Sequence, residues 1–191
     1  MARLVLASSS PRRQDLLKML GLDFIVIPST IEEEHFNGLS PEEMVRELSR
    51  AKAEDVGRSV ENALVIGSDT IVVLEGKILG KPANPGEAIE MLKELRNKEH
   101  TVITGLAIYD SNTGRTVVDS DQTQVFMGSI QDDDLINYVK TGEPLDKAGA
   151  YGIQGIGGAF VDWIKGSYYT VVGLPIHKLV KMLKEFGVSI F

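Results

Sequence analysis

The chain contains no cysteine, which excludes disulfide bonds and cysteine-based zinc sites. Its three histidines, His35, His100 and His177, are far apart and lack the spacing of metal ligands. It also lacks long apolar runs. The first apolar run, Leu4–Ala7, is too short for a signal peptide. No stretch reaches the length of a membrane span. We therefore expect a soluble cytoplasmic protein that has no membrane partner.

An excess of positive charge is missing as well. The 191 residues carry 20 Lys and Arg against 27 Asp and Glu, for a net charge of −7. Binding to a nucleic acid backbone requires a basic surface, so the balance argues against a nucleic acid partner. A single nucleotide needs only a local cluster of Arg and Lys, so the net charge does not exclude a nucleotide ligand. Apolar residues make up 43% of the chain, which is ordinary for a globular protein with a real core.

Patterns typical of strands and helices alternate in the first half of the chain, and strand patterns dominate later. This order predicts an α/β protein with a mixed sheet covered by helices. The predicted strands are Arg3–Ala7, Phe24–Ile27, Ala63–Gly67, Ile71–Leu74, Thr101–Tyr109 and Arg115–Met127, followed by a hairpin of Ala159–Ile164 and Tyr168–Val172. The predicted helices begin at Pro11, Ser40, Asn84, Asp132 and Pro175. No linker separates these elements, so we expect one domain over residues 1–191.

Arg12 and Arg13 lie in the first turn of the helix that Ser10 and Pro11 begin. Cations are mildly unfavourable there, because the helix dipole is positive at its N-terminus. An anion bound by the free amides and the guanidinium groups would explain the pair. The alternative is two solvated surface arginines.

Asp69 stands between two apolar segments, 64–66 and 71–74. A carboxylate in such a run is either buried with partners or placed where two strands meet. A general base or a metal ligand fits this position. The alternative is an Asp at a strand end that bonds its own turn.

Two lysines could contact a phosphate. Lys52 follows Leu48 by four residues, on the apolar face of its helix, so it either snorkels to solvent or meets an anion. Lys81 lies in the tight loop Gly80-Lys81-Pro82, and an ordinary loop lysine is its alternative.

Two further segments carry candidate ligands. Glu32, Glu33 and Glu34 form either a solvated acidic face or a source of one carboxylate that joins Asp69 around Mg²⁺. The glycine-rich tract 149–158 matches neither the dinucleotide nor the P-loop pattern. Its Gln154 offers both donors and an acceptor, which suits the edge of a base.

Taken together, these motifs resemble the Maf family of nucleotide pyrophosphatases over essentially the whole chain. The matching segments are Leu6–Arg13, Glu32-Glu33, Ser68-Asp69-Thr70, Gly80-Lys81-Pro82 and Asp146–Gly155. Arg12, Thr70 and Gln154 are similar to the branch that prefers dTTP and UTP, whereas the branch acting on 7-methyl-GTP differs at all three positions. One departure is Ser68, where many members carry Ala.

The resemblance implies a fold like that of inosine triphosphate pyrophosphatases, with two lobes around a cleft, and often a homodimer. It implies hydrolysis of dTTP and UTP, and of modified pyrimidine triphosphates, to the monophosphate and pyrophosphate. Asp69 would be the general base, Arg13, Lys52 and Lys81 would bind phosphate, and Asp69 with Glu33 would hold Mg²⁺ or Mn²⁺. Arg12, Thr70 and Gln154 would select the base. A nucleotide-binding regulator without turnover and a plain interaction domain are the alternatives.

Overall fold

The computed structural model describes residues 3–31 and 38–191, in which strands and helices alternate. The strands are β1 (Arg3–Leu6), β2 (Phe24–Val26), β3 (Ala63–Leu74), β4 (Lys77–Leu79), β5 (Lys98–Asp110), β6 (Thr116–Met127) and β7 (Val161–Lys165). The α-helices are α1 (Pro11–Met19), α2 (Pro41–Gly57), α3 (Pro85–Leu95), α4 (Asp132–Lys140), α5 (Tyr168–Val172) and α6 (Ile176–Lys184). Turns of 3₁₀-helix at Glu143–Asp146, Ala148–Ala150 and Ile156–Phe160 follow α4.

Local capping fixes where two of these helices begin. Ser40 and Glu43 form the predicted capping box of α2, in which each side chain bonds the backbone amide of the other residue. The Asn84 side chain accepts from the Glu87 amide at 3.0 Å and begins α3, as predicted. Ser10 precedes α1 without a capping bond from its side chain.

The strands form a mixed sheet in the order β2-β1-β3-β5-β6-β7, with β4 paired to β3. β1 runs parallel to both β2 and β3, whereas the β3–β4 and β6–β7 pairs are antiparallel. The predicted mixed sheet with helices is confirmed.

Two strand predictions are wrong. Residues 63–74 form one continuous strand, with Asp69 inside it. Residues 168–172 form helix α5 instead of a hairpin arm, because β7 takes β6 as its partner, with Val125 opposite Ile164. The β-branched residues of α5 favour a strand, but burial of Thr170 and Val172 outweighs that weak preference.

The chain divides into two compact units. Unit 1 comprises residues 1–69, 104–121 and 173–191, and unit 2 comprises residues 70–103 and 122–172. A cluster around Val5, Val65 and Ala107 forms a core in unit 1. A larger cluster, which includes Leu92, Met127 and Leu135, forms the core of unit 2. In the described part of the chain, no helix is long and apolar enough to span a bilayer.

Candidate active site

In unit 1, parallel pairing places the segment after β1 beside the middle of β3. Leu6 lies opposite Ile66, and the Ala7 amide donates to the Ile66 carbonyl across 2.8 Å. The loop that leads into α1 therefore starts at the level of Gly67, two residues before Asp69. The residues that follow the carboxyl end of β1 thus lie next to the middle of β3.

Arg13 is held in this region by two hydrogen bonds. Its Nε donates to the Gly173 carbonyl at 2.8 Å, and its Nη1 donates to Ser8 Oγ at 3.1 Å. The Ser68 hydroxyl lies 3.1 Å from the same Gly173 carbonyl and 2.8 Å from the Gly105 carbonyl. The Ser68 hydroxyl has a single hydrogen, so its two carbonyl contacts share one donor, while the Gly173 oxygen has a second lone pair for Arg13. Arg13 is therefore tied to the residue that immediately precedes Asp69.

Asp69 is buried and paired with Lys52. The distance from Lys52 Nζ to Asp69 Oδ1 is 2.5 Å, and the two side chains are only 13% and 9% exposed. The sequence predicts that this inward-facing lysine either snorkels or meets an anion, and in the structure it meets Asp69. Removing one partner of such a shielded pair leaves an uncompensated charge, which costs on the order of 3–5 kcal/mol.

Glycines in two strands let α2 approach closely enough for this pair to form. A Cβ atom on Gly67 would lie 2.2 Å from the Ser49 carbonyl oxygen, and one on Gly105 would lie 2.1 Å from the Val45 carbonyl oxygen. The backbone of α2 therefore rests directly on the backbone of β3 and β5. Lys52, almost one turn beyond Ser49, then reaches Asp69.

In unit 2, the loop that carries Lys81 meets the start of the glycine-rich tract. The Gly149 amide donates to the Gly80 carbonyl at 3.1 Å. Gly149 has φ +69°, and a Cβ atom there would lie 3.0 Å from Val72, so glycine satisfies both the backbone and the space. Lys81 and Gln154 are exposed, and Thr70 is partly buried in β3.

The structure thus groups Arg13, Lys52 and Asp69 within unit 1, and it joins the Lys81 loop to the glycine-rich tract within unit 2. Arg12 is partly buried in the first turn of α1. The roles of Arg12, Thr70 and Gln154 in base selection stay predictions, as do the phosphate-binding roles of the cations.

The predicted metal ligand Glu33 lies outside the described residues, together with Glu32 and Glu34. Among residues 3–31 and 38–191, no group of three His, Asp or Glu side chains could hold a metal ion. Asp69 offers carboxylate oxygens, and Mg²⁺ binds proteins through one or two carboxylates while water and substrate phosphates fill its other positions. The buried Asp69 carboxylate could supply one such ligand.

The segment before these glutamates is anchored by Asp55 of α2. Its Oδ2 accepts from Ser29 Oγ and from the Thr30 amide, both at 2.9 Å. The bond from the Thr30 amide is the main reason that the pKa of Asp55 lies below its ordinary value. Asp55 follows Lys52 by three residues, so helix α2 positions both Lys52 and the segment Ser29-Thr30 that precedes the acidic run.

Several residues that organise the site are absent from the predicted set. Ser68, Gly105 and Gly173 meet although they are 37 and 105 residues apart, and no periodic pattern marks such partners. Glu143, which bonds backbone amides of the glycine-rich tract, is another. Only its position shortly before the tract gives a sequence signal.

Known proteins resemble this chain in sequence and in fold. The dTTP/UTP pyrophosphatase of Pelotomaculum thermopropionicum is 48% identical, and the alignment covers 100% of both chains. The protein of the same name from Methanosarcina mazei is 43% identical, with 100% of this chain and 98% of its own length covered. Among solved structures, the Ham1 protein of Staphylococcus aureus matches with a TM-score of 0.55 at 19% identity. That alignment covers 96% of this chain and 98% of the other, and it shows a shared fold.

The family model described as Maf-like protein matches residues 3–186. That span includes the Arg13, Lys52 and Asp69 group, the Lys81 loop and the whole glycine-rich tract. With relatives above 40% identity over the full length, the match leaves one assignment: this chain belongs to the Maf family.

Proposed function

We propose that this chain hydrolyses dTTP and UTP to the nucleoside monophosphate and pyrophosphate. Full-length relatives of 43–48% identity carry the name dTTP/UTP pyrophosphatase. The observation in the molecule that supports this activity best is the buried Asp69 carboxylate, which is paired with Lys52. The preceding residue, Ser68, contacts the same Gly173 carbonyl as Arg13.

In the proposed reaction, a water oxygen attacks the α-phosphorus, and the bond from that phosphorus to the oxygen bridging toward the β-phosphorus breaks. Asp69 accepts the proton of the attacking water, which is the role of a general base. The Lys52 ammonium holds the Asp69 carboxylate in one orientation through Oδ1. Burial of both groups keeps competing water away from the carboxylate.

The cationic side chains stabilise the charge that collects on the leaving pyrophosphate. Arg13 presents a planar guanidinium that is already oriented through Nε and Nη1. Lys81, exposed in its loop, adds a point charge that can follow the phosphates. Preorganised charges of this kind commonly supply a large part of the barrier reduction in phosphate chemistry.

A divalent cation, Mg²⁺ or Mn²⁺, belongs to this proposal. Asp69 would hold it together with a glutamate of the 32–34 run, which we take to be Glu33. When bound, the cation would neutralise charge on the phosphate oxygens.

Base selection is assigned to Arg12, Thr70 and Gln154. Uracil and thymine present two carbonyl acceptors on either side of one N–H donor, and an amide side chain can complement that edge. A wrong base that covered these side chains would leave their polar groups without partners, so discrimination should be strong. Modified pyrimidine triphosphates with the same edge are included as substrates. A homodimer and a cytoplasmic location complete the proposal.

The test is product analysis with UTP and Mg²⁺. We expect UMP and pyrophosphate, a kcat/KM for dTTP and UTP well above those for ATP and GTP, and no turnover in excess EDTA. UDP with orthophosphate would contradict the proposed bond cleavage. Binding of UTP without release of pyrophosphate would instead identify a regulatory nucleotide-binding protein.

A variant at Gln154 tests base selection separately. Gln154→Glu should narrow the gap between UTP and GTP while metal-dependent hydrolysis continues, because only the base contact changes. An equal loss of kcat/KM for every triphosphate would assign Gln154 to loop structure instead.

A further inference from the structure

The Glu143 carboxylate, which precedes the glycine-rich tract in sequence, bonds the backbone of that tract. Its Oε2 accepts from the Ile156 amide at 3.0 Å, and its Oε1 accepts from the Gly157 amide at 3.1 Å. The Tyr138 hydroxyl donates to Oε1 at 2.9 Å. Two of these three donors are backbone amides just after Gln154, so one carboxylate fixes the exit of the segment that carries the Gln154 side chain.

The entrance of the same segment is fixed by neighbours of Glu143. The Gly152 amide donates to the Tyr138 hydroxyl at 3.2 Å, so Tyr138 links this amide to the Glu143 carboxylate. Lys147 donates through Nζ to the Glu143 backbone carbonyl at 2.6 Å. Gln154 therefore lies between two backbone positions, 152 and 156, that are both tied to one side-chain network.

The tract is wrapped closely around this network. A Cβ atom on Gly155 would lie 2.5 Å from Glu143 Oε1, and one on Gly152 would lie 2.6 Å from Lys147 Cε. The glycines at these two positions therefore give the backbone room to approach the Glu143 carboxylate and the Lys147 stem.

Glu143 makes these contacts as an anion. Partial burial acts to raise its pKa, but the Gly157 and Ile156 amides and the Tyr138 hydroxyl outweigh burial and hold the pKa below its ordinary value. Hydrogen bonds to a charged acceptor are roughly twice as strong as neutral ones. An ionised Glu143 therefore fixes the tract more firmly than a neutral side chain of the same shape.

We infer that Glu143 is a positioning residue for recognition of the substrate base: its carboxylate holds the 152–157 backbone so that the exposed Gln154 amide meets a uracil or thymine edge. This inference rests on the proposed function, in which Gln154 reads the base. A displacement of about 1 Å can cost roughly 100-fold in rate when geometry is demanding. The base edge is such a case, because two or more hydrogen bonds must form at once.

The experiment compares Glu143→Gln with the parent chain, using kcat/KM for UTP and for GTP. The amide keeps the shape of Glu143, but it loses the charge and directs its NH₂ group at a backbone N–H. We expect the UTP to GTP ratio to fall roughly 10- to 100-fold, with the loss mainly in KM for UTP. Pyrophosphate should still be released in the presence of Mg²⁺.

Glu94→Gln is the matched control. Glu94 lies in the same unit, is 44% exposed and pairs with Lys77 on the surface. The same change of charge there should leave the UTP to GTP ratio unaltered. Tyr138→Phe supplies a second variant. It removes the hydroxyl that donates to Glu143 and accepts from the Gly152 amide, but it leaves the carboxylate and its bonds to the Ile156 and Gly157 amides. We expect a smaller fall in the same ratio.

A double-mutant cycle with Gln154→Ala separates positioning from general support. If Glu143 acts through Gln154, Glu143→Gln should have little further effect on the ratio once Gln154 is Ala. Amide hydrogen exchange at Ile156 and Gly157 should be faster in Glu143→Gln and unchanged in Glu94→Gln.

The outcomes distinguish the two levels of the proposal. If Gln154→Ala lowers the UTP to GTP ratio and Glu143→Gln does not, the positioning role of Glu143 is wrong and the proposed function stands. If Gln154→Ala leaves the ratio unchanged, base reading by Gln154 is wrong, and the positioning role of Glu143 fails with it. An equal loss for both triphosphates in Glu143→Gln, or in Tyr138→Phe should Glu143→Gln not fold, would make the role purely structural.

Discussion

At the scale of single residues, Asp69 depends on its immediate partners. A buried carboxylate without a partner would be strongly destabilising, and the Lys52 ammonium at 2.5 Å supplies the compensation. Ser68, the residue before Asp69, contacts the Gly173 carbonyl that also accepts from Arg13. The charge on Asp69 is therefore compensated by Lys52, while the preceding residue, Ser68, is held by its own hydrogen bonds.

Replacing Asp69 by Asn should stop most turnover in a chain that still folds, although its free energy of unfolding should fall because Lys52 loses its counter-charge. Asn keeps the shape and can still accept from Lys52 through its oxygen, but it cannot take the proton of the attacking water. We expect kcat for UTP to fall roughly 10²- to 10⁴-fold, the usual contribution of general acid–base catalysis. Steady-state kinetics with pyrophosphate detection measure this change.

Asp15→Asn is the matched control for that variant. Asp15 lies on α1 with its side chain 59% exposed, near Lys18, and we expect near-parental kcat. A folded Asp69→Asn protein with normal kcat would mean that another group, with Glu33 as the next candidate, accepts the proton.

At the scale of elements, the depth at which α2 packs decides the geometry of the site. The helix carries Lys52 and Asp55, and it rests on β3 and β5 where Gly67 and Gly105 offer no side chain. The Ser49 hydroxyl donates to the Val45 carbonyl at 2.6 Å, so its polar atom is satisfied inside this tight interface. Side-chain volume at either glycine would push the helix away from the sheet.

Gly67→Ala should therefore lower both stability and activity. Its Cβ atom would fall 2.2 Å from the Ser49 carbonyl oxygen, a backbone atom that can move only with α2. Overpacking of this kind typically costs about 1–3 kcal/mol in the free energy of unfolding. The shift should also lengthen the Lys52–Asp69 pair and reduce kcat, which denaturant melts and kinetics can follow together.

Gly105→Ala should behave in the same way, because its Cβ atom would meet the Val45 carbonyl oxygen at 2.1 Å. Gly80→Ala is the control for stability, since nothing lies within 4 Å of its added methyl group. Equal stability of Gly67→Ala and Gly80→Ala would show that α2 does not need this close approach.

At the scale of the whole molecule, stability should depend on pH through a buried histidine. His100 in β5 is 2% exposed, and its Nε2 lies 2.8 Å from the Tyr151 hydroxyl. Its Nδ1 has no hydrogen-bond partner among the described residues. Burial lowers the pKa of His100 from 6.5 to about 4, so the imidazole is neutral in the folded protein at neutral pH.

The sign of the pH effect follows from this lowered pKa. Below pH 6.5 His100 becomes protonated in the unfolded chain, whereas in the folded chain it stays neutral down to about pH 4. The free energy of unfolding should therefore be highest above pH 6.5 and should fall as the pH decreases, by about 2 kcal/mol on reaching about pH 5. Urea melts over this range, read by far-UV circular dichroism, measure the slope.

In His100→Gln the free energy of unfolding should fall less steeply between pH 6.5 and pH 5, since the buried imidazole of His100 is gone. His177→Gln is the control, because that side chain is 46% exposed. The carboxylates whose pKa is lowered, such as Glu143 and Asp55, lose their contributions at lower pH and do not mask the comparison. Identical slopes in the parent chain and in His100→Gln would exclude His100 as the cause.

Much of this protein follows from its sequence alone. The capping residues Ser40 and Asn84 fix helix starts through contacts three residues away, so local patterns predict them. The spacing of Lys52 from Leu48 places the lysine on the inward face of its helix, and the run of apolar residues around Asp69 indicates a buried carboxylate. The order of the motifs also identifies the family, because it combines many positions at once.

Only the tertiary structure decided which distant groups meet. Residues 168–172 form a helix because β7 pairs with β6, a contact between segments about 40 residues apart that local propensity cannot weigh. The Ser68–Gly173 contact joins residues 105 positions apart and is invisible in the sequence for the same reason, whereas Glu143 is marked only by its position shortly before the tract. Periodicity and capping act over a few residues, whereas packing selects partners by shape and unsatisfied hydrogen bonds across the whole chain.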